Sequence, residues 1–230
     1  MRIATVLVVS SLALHACDTG KPPTASRQPP TAGEGLVFVN EAAAELSFSA
    51  TFHCLNAEKG TWHLIVKEGG DMAPLAFFTT DVAPGKFYES LKAIKARDGN
   101  NVTPANMGAD DIATAGDAVD FIFAWKGQKD PVPLAGLLAE VVPDLPTSGG
   151  ARGIDMRFGG NYTAEDAGSP PCHESGCLAC LYTCSAGVTS NARANQALLK
   201  KDGNAYRYRL RDGIDLADGT KVRITVRRKI

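Results

Sequence analysis

The sequence predicts an α+β fold with a mostly antiparallel sheet, one or two packed helices and a cysteine-rich loop. Three observations predict it. Strand-like runs with a period of two dominate the chain, one segment has a helical period, and four cysteines lie within thirteen residues near the C-terminus. Runs of strands interrupted by few helices are typical of α+β domains, in which the helices pack on an antiparallel sheet.

The N-terminus has the composition of a secretory signal peptide. Arg2 precedes an apolar run, Ile3 to Leu14, which is too short to span a membrane. The run ends in His15-Ala16-Cys17, and a small residue before a cysteine at this point resembles the lipobox of bacterial lipoproteins. We therefore expect residues 1–16 to be a lipoprotein signal peptide and Cys17 to be lipidated. Acyl chains on Cys17 would anchor the protein in the bacterial cell envelope, on the periplasmic face of the inner or outer membrane.

Residues 17–35 are predicted to be the lipidated cysteine and a flexible tether, and residues 36–230 a single globular domain. The tether is rich in Pro, Thr, Ser and Gly and has too little apolar surface to offset the entropy of folding. About 195 residues then remain, enough for one substantial core. The formal net charge of the chain is −1, so its overall charge provides no attraction to nucleic acid.

The first half of the domain predicts consecutive strands. Residues 44–55 alternate apolar side chains such as Leu46 and Phe48 with polar ones, which is the period of a half-buried strand. A glycine-rich turn at residues 69–71 separates the two later strands. Four consecutive strands predict an antiparallel sheet, and their ranges are 35–40, 44–55, 61–67 and 75–80.

An amphipathic helix is predicted next. Phe87, Leu91 and Ile94 recur at i, i+4 and i+7, with Pro84 near the start of the segment and Gly99 beyond its end. We expect this apolar stripe to pack on the sheet. The predicted core residues on the sheet are Phe48, Trp62, Leu64, Phe121 and Phe123.

The second half of the domain predicts further strands and one short helix. The helix, residues 135–142, ends before Pro143 because proline cannot continue a helix. The last strand carries basic residues that alternate with Val222, Ile224 and Val226, as on a half-buried strand with a solvated outer face. The predicted strands are 119–125, 132–134, 154–158, 206–210 and 222–226.

The cysteine cluster is the main candidate site. Cys172, Cys177, Cys180 and Cys184 follow the spacing C-x4-C-x2-C-x3-C, and the last three would share one face of a helix. Such a cluster can bind an iron–sulfur centre, bind zinc or copper, or close as disulfides, and its spacing matches neither common ferredoxin pattern fully. An oxidising compartment favours disulfides. In every case at least three of the four sulfurs should lie close together.

Other candidate residues carry weaker signals. Cys54 is the odd cysteine that remains, and its place at the end of an apolar strand favours a small buried side chain. His53 and His63 lie on neighbouring predicted strands and could face each other, although isolated histidines are more often structural. His173, beside Cys172, is the nitrogen ligand that the sequence favours if the cluster holds a metal. The chain has no hydrolase motif such as G-x-S-x-G or H-E-x-x-H, and an enzyme is the less favoured class.

Four segments together are similar to the bacterial YdjY-type domain family. They are residues 62–70, 87–103, 154–160 and 176–191, and the last, with its cysteines, is the most specific. Members are described as ferredoxin-like or iron–sulfur proteins because of this segment. The resemblance implies that Cys172, Cys177, Cys180 and Cys184 ligate an iron–sulfur or other metal centre. Together with the lipid anchor predicted at Cys17, this favours a membrane-anchored protein that exchanges electrons with a membrane redox or envelope partner. The alternative is a non-enzymatic binding or assembly domain with structural disulfides.

Overall fold

The computed structural model describes residues 35–141, 153–161, 175–201 and 207–229. The predicted signal peptide, Cys17, most of the tether, Cys172 and His173 lie outside these residues. The strands are β1 Phe38–Asn40, β2 Glu45–Phe52, β3 His63–Lys67, β4 Ala76–Thr80, β5 Val119–Trp125, β6 Val132–Pro133, β7 Leu138–Val141, β8 Met156–Arg157, β9 Cys177–Cys180, β10 Thr189–Asn191, β11 Arg207–Leu210 and β12 Lys221–Arg228. The helices are α1 Cys54–Lys59, α2 Pro84–Ala93, α3 Leu134–Leu137 and α4 Gln196–Lys201, and a 3₁₀ turn covers Ala73–Leu75.

Most of the described strands belong to one sheet. Its ten strands run in the order β6-β5-β12-β2-β4-β3-β9-β10-β8, and β1 also pairs with β2, while β7 and β11 form a separate two-stranded sheet. Phe48 on β2 pairs with Ile224 on β12, which pairs in turn with Phe123 on β5. Each of the three side chains is buried, so this part of the sheet forms one wall of the core.

The sheet is mixed, and the prediction of a mostly antiparallel sheet is therefore too simple. Parallel pairings join β3 with β4 and β9 with β10. Parallel neighbours normally require a crossover of about a dozen residues or more, usually a helix. Here residues 68–75 and 181–188 connect the parallel strands, in each case without an α-helix. Connections this short predict hairpins, which is why the sequence did not indicate the parallel pairs.

The predicted helix on the sheet is confirmed. In α2, Phe87 and Leu91 are fully buried, and the Phe87 ring lies edge-on to Phe48 with the centroids 5.7 Å apart. Burial of such a side chain contributes about 2–3 kcal/mol. The predicted core residues Phe48, Leu64, Phe121 and Phe123 are buried, whereas Trp62 is half-buried and packs against the same core.

Two predicted elements end earlier than the local sequence indicates, because tertiary contacts favour a different structure beyond that point. The helix expected over residues 135–142 ends at Leu137, and Leu138–Val141 instead forms β7, which pairs with β11. The strand expected to reach residue 55 ends at Phe52, because α1 begins at Cys54. Asp218 Oδ1 accepts a hydrogen bond from the Cys54 backbone N–H at 2.8 Å and so satisfies one free donor of this helix. Among the described helices, none is long and apolar enough to cross a membrane.

Candidate metal centre

The candidate site lies where two adjacent strands meet a loop. His63 is on β3, Cys177 and Cys180 are on β9, and Cys184 is in the loop that leads to β10. The His63 ring nitrogen and the sulfurs of Cys177 and Cys180 all lie within 4.8 Å of one another. His63 Nδ1 is 3.8 Å from Cys177 Sγ. These side chains are buried, with exposures between 0% for Cys180 and 8% for His63.

The cysteine segment is a strand and a loop, not the helix considered from the sequence. In a regular strand, residues i and i+3 point to opposite faces, so Cys177 and Cys180 would be separated. The pairing of β3 with β9 is irregular, however, and its register shifts on both sides of Ile65. Such an irregularity changes the direction of side chains along a strand. The irregular pairing of β3 with β9 therefore explains how the sulfurs of Cys177 and Cys180 reach the same buried site.

The loop after β9 brings Cys184 to the other two cysteines. Cys177, Cys180 and Cys184 form one buried cluster with Val66 and Ala76. The Ala186 backbone N–H donates to Cys184 Sγ at 3.4 Å. The structure therefore places three of the four predicted cysteines in one buried cluster.

Buried polar contacts fix the shape of this loop. Leu181 N–H donates to the Trp62 carbonyl at 2.7 Å, and Thr183 N–H donates to the Ala194 carbonyl at 2.6 Å. The Asn161 amide donates to the Cys184 carbonyl at 2.9 Å. Gly187 passes so close to the site that a Cβ there would lie 2.9 Å from Cys180 Sγ. The loop thus positions Cys184 and encloses the Cys180 sulfur.

The cysteines influence the ionisation of one another. A hydrogen bond from Cys180 and a second from His63 outweigh burial and lower the pKa of Cys177 to about 5. The pKa of Cys180 is raised in turn, because its thiol proton is held by the sulfurs of Cys177 and Cys184 and its side chain is buried. The hydrogen bond from Cys180 also lowers the pKa of Cys184. The negative charge on Cys184, together with burial, raises the pKa of Tyr182. The site therefore favours thiolates at Cys177 and Cys184 and a thiol at Cys180, although all three side chains are buried.

The remaining predicted residues have different roles. Cys177, Cys180 and Cys184 are not disulfide-bonded, so the structure does not show the disulfides considered for them. Cys54, expected to be the odd free cysteine, is instead disulfide-bonded, and its partner lies outside the described residues. Cys172, predicted as the fourth metal ligand, also lies outside them.

The two histidines of the neighbouring segments do not face each other. His53 Nε2 forms a hydrogen bond of 2.8 Å with Thr79 Oγ1, while His63 faces Cys177. No local pattern favours His63, because its partner is set by the pairing of β3 with a strand more than a hundred residues later. His173, the nitrogen ligand that the sequence favoured, lies outside the described residues.

The donor set fits one soft metal ion. A sulfur at about 2.3 Å and a nitrogen at about 2.0 Å from a tetrahedral ion are about 3.5 Å apart, and two such sulfurs are about 3.8 Å apart. The 3.8 Å between His63 Nδ1 and Cys177 Sγ is close to this spacing. Among the described residues, no carboxylate belongs to the group. Thiolate and imidazole donors select zinc, copper or iron rather than magnesium or calcium.

Comparison with known proteins identifies the family. The sequence profile of the YdjY domain matches residues 37–227. "Uncharacterized protein YdjY" of Escherichia coli strain K12 is 31% identical over 165 residues, which span 72% of this chain and 66% of that protein. No solved structure gives a significant match. The chain belongs to the YdjY domain family.

Proposed function

We propose that this protein is a lipid-anchored protein of the bacterial cell envelope whose domain holds one thiophilic metal ion. His63, Cys177 and Cys180 would bind the ion, and Cys184 lies beside them in the same buried cluster. The observation that carries the proposal is the approach of three ligand atoms to within 4.8 Å of one another in a buried site.

Burial explains why a metal ion suits this site better than free thiols. A buried thiolate is costly unless a positive charge or hydrogen bonds compensate it. In the described structure the compensation for Cys177 comes from the Cys180 thiol and from His63. Metal ligands must be deprotonated, so an ion would replace the proton held by Cys180 and supply the positive charge.

Electron transfer is the role we propose for a redox-active ion at this site. Copper or iron held by thiolates and an imidazole would exchange electrons with a membrane redox partner, whereas zinc would only stabilise the fold. The short ligand distances favour a single ion over an iron–sulfur cluster, which spreads four cysteines over several irons. An iron–sulfur centre is the redox alternative to a single ion.

The disulfide at Cys54 supports the envelope location. Disulfides persist in oxidising compartments such as the bacterial periplasm and are rare in the cytosol. A signal peptide over residues 1–16 and a lipidated Cys17 would place the domain there, at a membrane surface. Residues 17–35 would then link the anchor to the domain.

The proposal is tested by comparing the two histidines of neighbouring segments. The protein is purified without oxygen, freed of metal and titrated with cobalt(II), whose binding to thiolates gives a strong charge-transfer absorption. We expect saturation at one cobalt per chain. His63→Gln should weaken cobalt binding at least about tenfold, because it removes a ligand. His53→Gln is the matched control and should leave binding unchanged.

The outcome also distinguishes the alternatives. A parent protein that shows no thiolate–cobalt absorption would overturn the proposal. Equal binding by the two variants would remove His63 from the site. If the protein as isolated has the visible absorption of an iron–sulfur cluster, the single ion is wrong and the cluster takes its place.

A further inference from the structure

A methionine lies at the solvent side of the cysteine cluster. Met72 packs against the buried cluster that contains Cys177, Cys180 and Cys184. It is half-buried, whereas the three cysteines are at most 4% exposed. Met72 therefore packs on the cluster and is also partly exposed to solvent.

Backbone contacts hold Met72 beside the residues that precede β9. Gly70 packs so closely on the residues before β9 that a Cβ there would lie 2.9 Å from Gly176 Cα and 2.9 Å from the Ser175 carbonyl oxygen. Met72 N–H donates to the same Ser175 carbonyl at 3.3 Å. These contacts connect residues 70–72 to the segment that leads into Cys177, so Met72 is fixed relative to the sulfurs.

The chemistry of the thioether distinguishes between metals. Soft donors such as thiolate and thioether sulfur select copper(I), while imidazole is accepted by copper and zinc alike. Zinc sites in proteins use cysteine, histidine and carboxylate ligands. A thioether that packs on the cluster containing these thiols therefore favours a softer ion than zinc. Met156 shows the ordinary role of methionine in this fold, since it is buried in the apolar core.

We propose that the metal ion of this site is copper(I) and that Met72 is its thioether donor on the solvent side. This rests on the proposed function and names its metal. Cys177 and Cys180 would supply the thiolates and His63 the imidazole. Because Met72 is the donor nearest to solvent in the described part of the cluster, it would also be the first to meet an incoming ion.

Met107 provides a matched control. It is also half-buried and lies near the site, because Ser185, next to Cys184, donates a hydrogen bond of 3.0 Å to Met107 Sδ. Its sulfur is therefore already engaged by a hydroxyl group. Leucine replaces methionine at either position with little change in volume.

The test measures copper(I) affinity of the full chain without oxygen, by competition with a chromogenic copper(I) chelator. We expect Met72→Leu to weaken copper(I) binding by about tenfold or more and to leave zinc(II) binding unchanged. Met107→Leu should leave both affinities unchanged. Unchanged copper(I) binding by Met72→Leu, or an equal loss of zinc(II) binding, would overturn the inference.

Failure of this inference and failure of the proposed function give different results. If the parent protein binds zinc(II) through His63 and Met72→Leu has no effect on either metal, only the assignment of copper(I) and Met72 is wrong. If the parent protein binds neither metal, the proposed function itself is wrong.

Discussion

At the scale of single residues, the site depends on three closely spaced cysteines and on one histidine that is more than a hundred residues before them in sequence. The sequence indicated the cysteines, because their spacing is rare outside metal sites and disulfides. It could not indicate His63, since a lone histidine acquires a partner only through strand pairing. The prediction that Cys54 is the odd cysteine was wrong for a related reason. A disulfide joins residues that are close in the fold, and one sequence does not determine connectivity.

The ionisation of Cys177 can be predicted at this scale. In the metal-free protein its pKa is about 5 rather than the ordinary 9.0, chiefly because the Cys180 thiol donates a hydrogen bond to the thiolate. The folded-state pKa lies below the unfolded one. This group therefore stabilises the fold fully above about pH 9, and the contribution is lost as the pH falls through 5.

Titration of thiolate absorbance in the metal-free protein measures this value. We expect one cysteine to ionise with a midpoint near pH 5. Cys180→Ala should raise that midpoint, because it removes the largest cause of the shift. A parent protein in which no cysteine ionises below its ordinary range would contradict the account.

At the scale of elements, local sequence determined the type of most strands but not their partners. The alternation in β2 and the apolar stripe of α2 identify these elements directly, because in each the apolar residues lie on the face that packs on the core. The Cys-x-x-Cys segment has no such period, and it became a strand because β3 and β10 pair with it on either side. Eight residues connect β9 with β10, a length that normally forms a hairpin.

Gly187 tests the loop between these two strands. A Cβ at this position would lie 2.9 Å from Cys180 Sγ and 3.0 Å from the Thr189 carbonyl oxygen. We expect Gly187→Ala to destabilise the protein by about 1–3 kcal/mol, as overpacking does, and to weaken metal binding. Urea unfolding measures the first effect and cobalt titration the second.

Gly108→Ala is the control for this substitution. The nearest atom to a Cβ at Gly108 is Gln196 Oε1 at 3.6 Å, an ordinary contact. Its unfolding free energy should change by less than about 0.5 kcal/mol. Equal stability of the two variants would mean that the loop does not enclose the Cys180 sulfur as described.

At the scale of the whole molecule, the proposal combines a membrane anchor with a metal-binding domain. The anchor is inferred from sequence, because Cys17 and the signal peptide lie outside the described residues. The family is shown by the match of the YdjY domain to residues 37–227. The two parts can therefore be tested independently.

Cys17→Ser tests the anchor. The variant should leave the membrane fraction and remain folded, because two or three acyl chains at about 0.8 kcal/mol per buried methylene group supply the attachment. Cell fractionation measures the distribution, and the metal content of the released protein should equal that of the parent. A variant that stays in the membrane fraction would show a second attachment.

The most direct measurement is the metal content of the protein as isolated from its cells without oxygen. Elemental analysis of the parent protein and of Cys177→Ser compares the site with and without one of its thiolates. The account predicts one thiophilic metal ion per chain in the parent and substantially less in the variant. A parent protein that contains no such metal, and takes up none when it is supplied, would contradict the account.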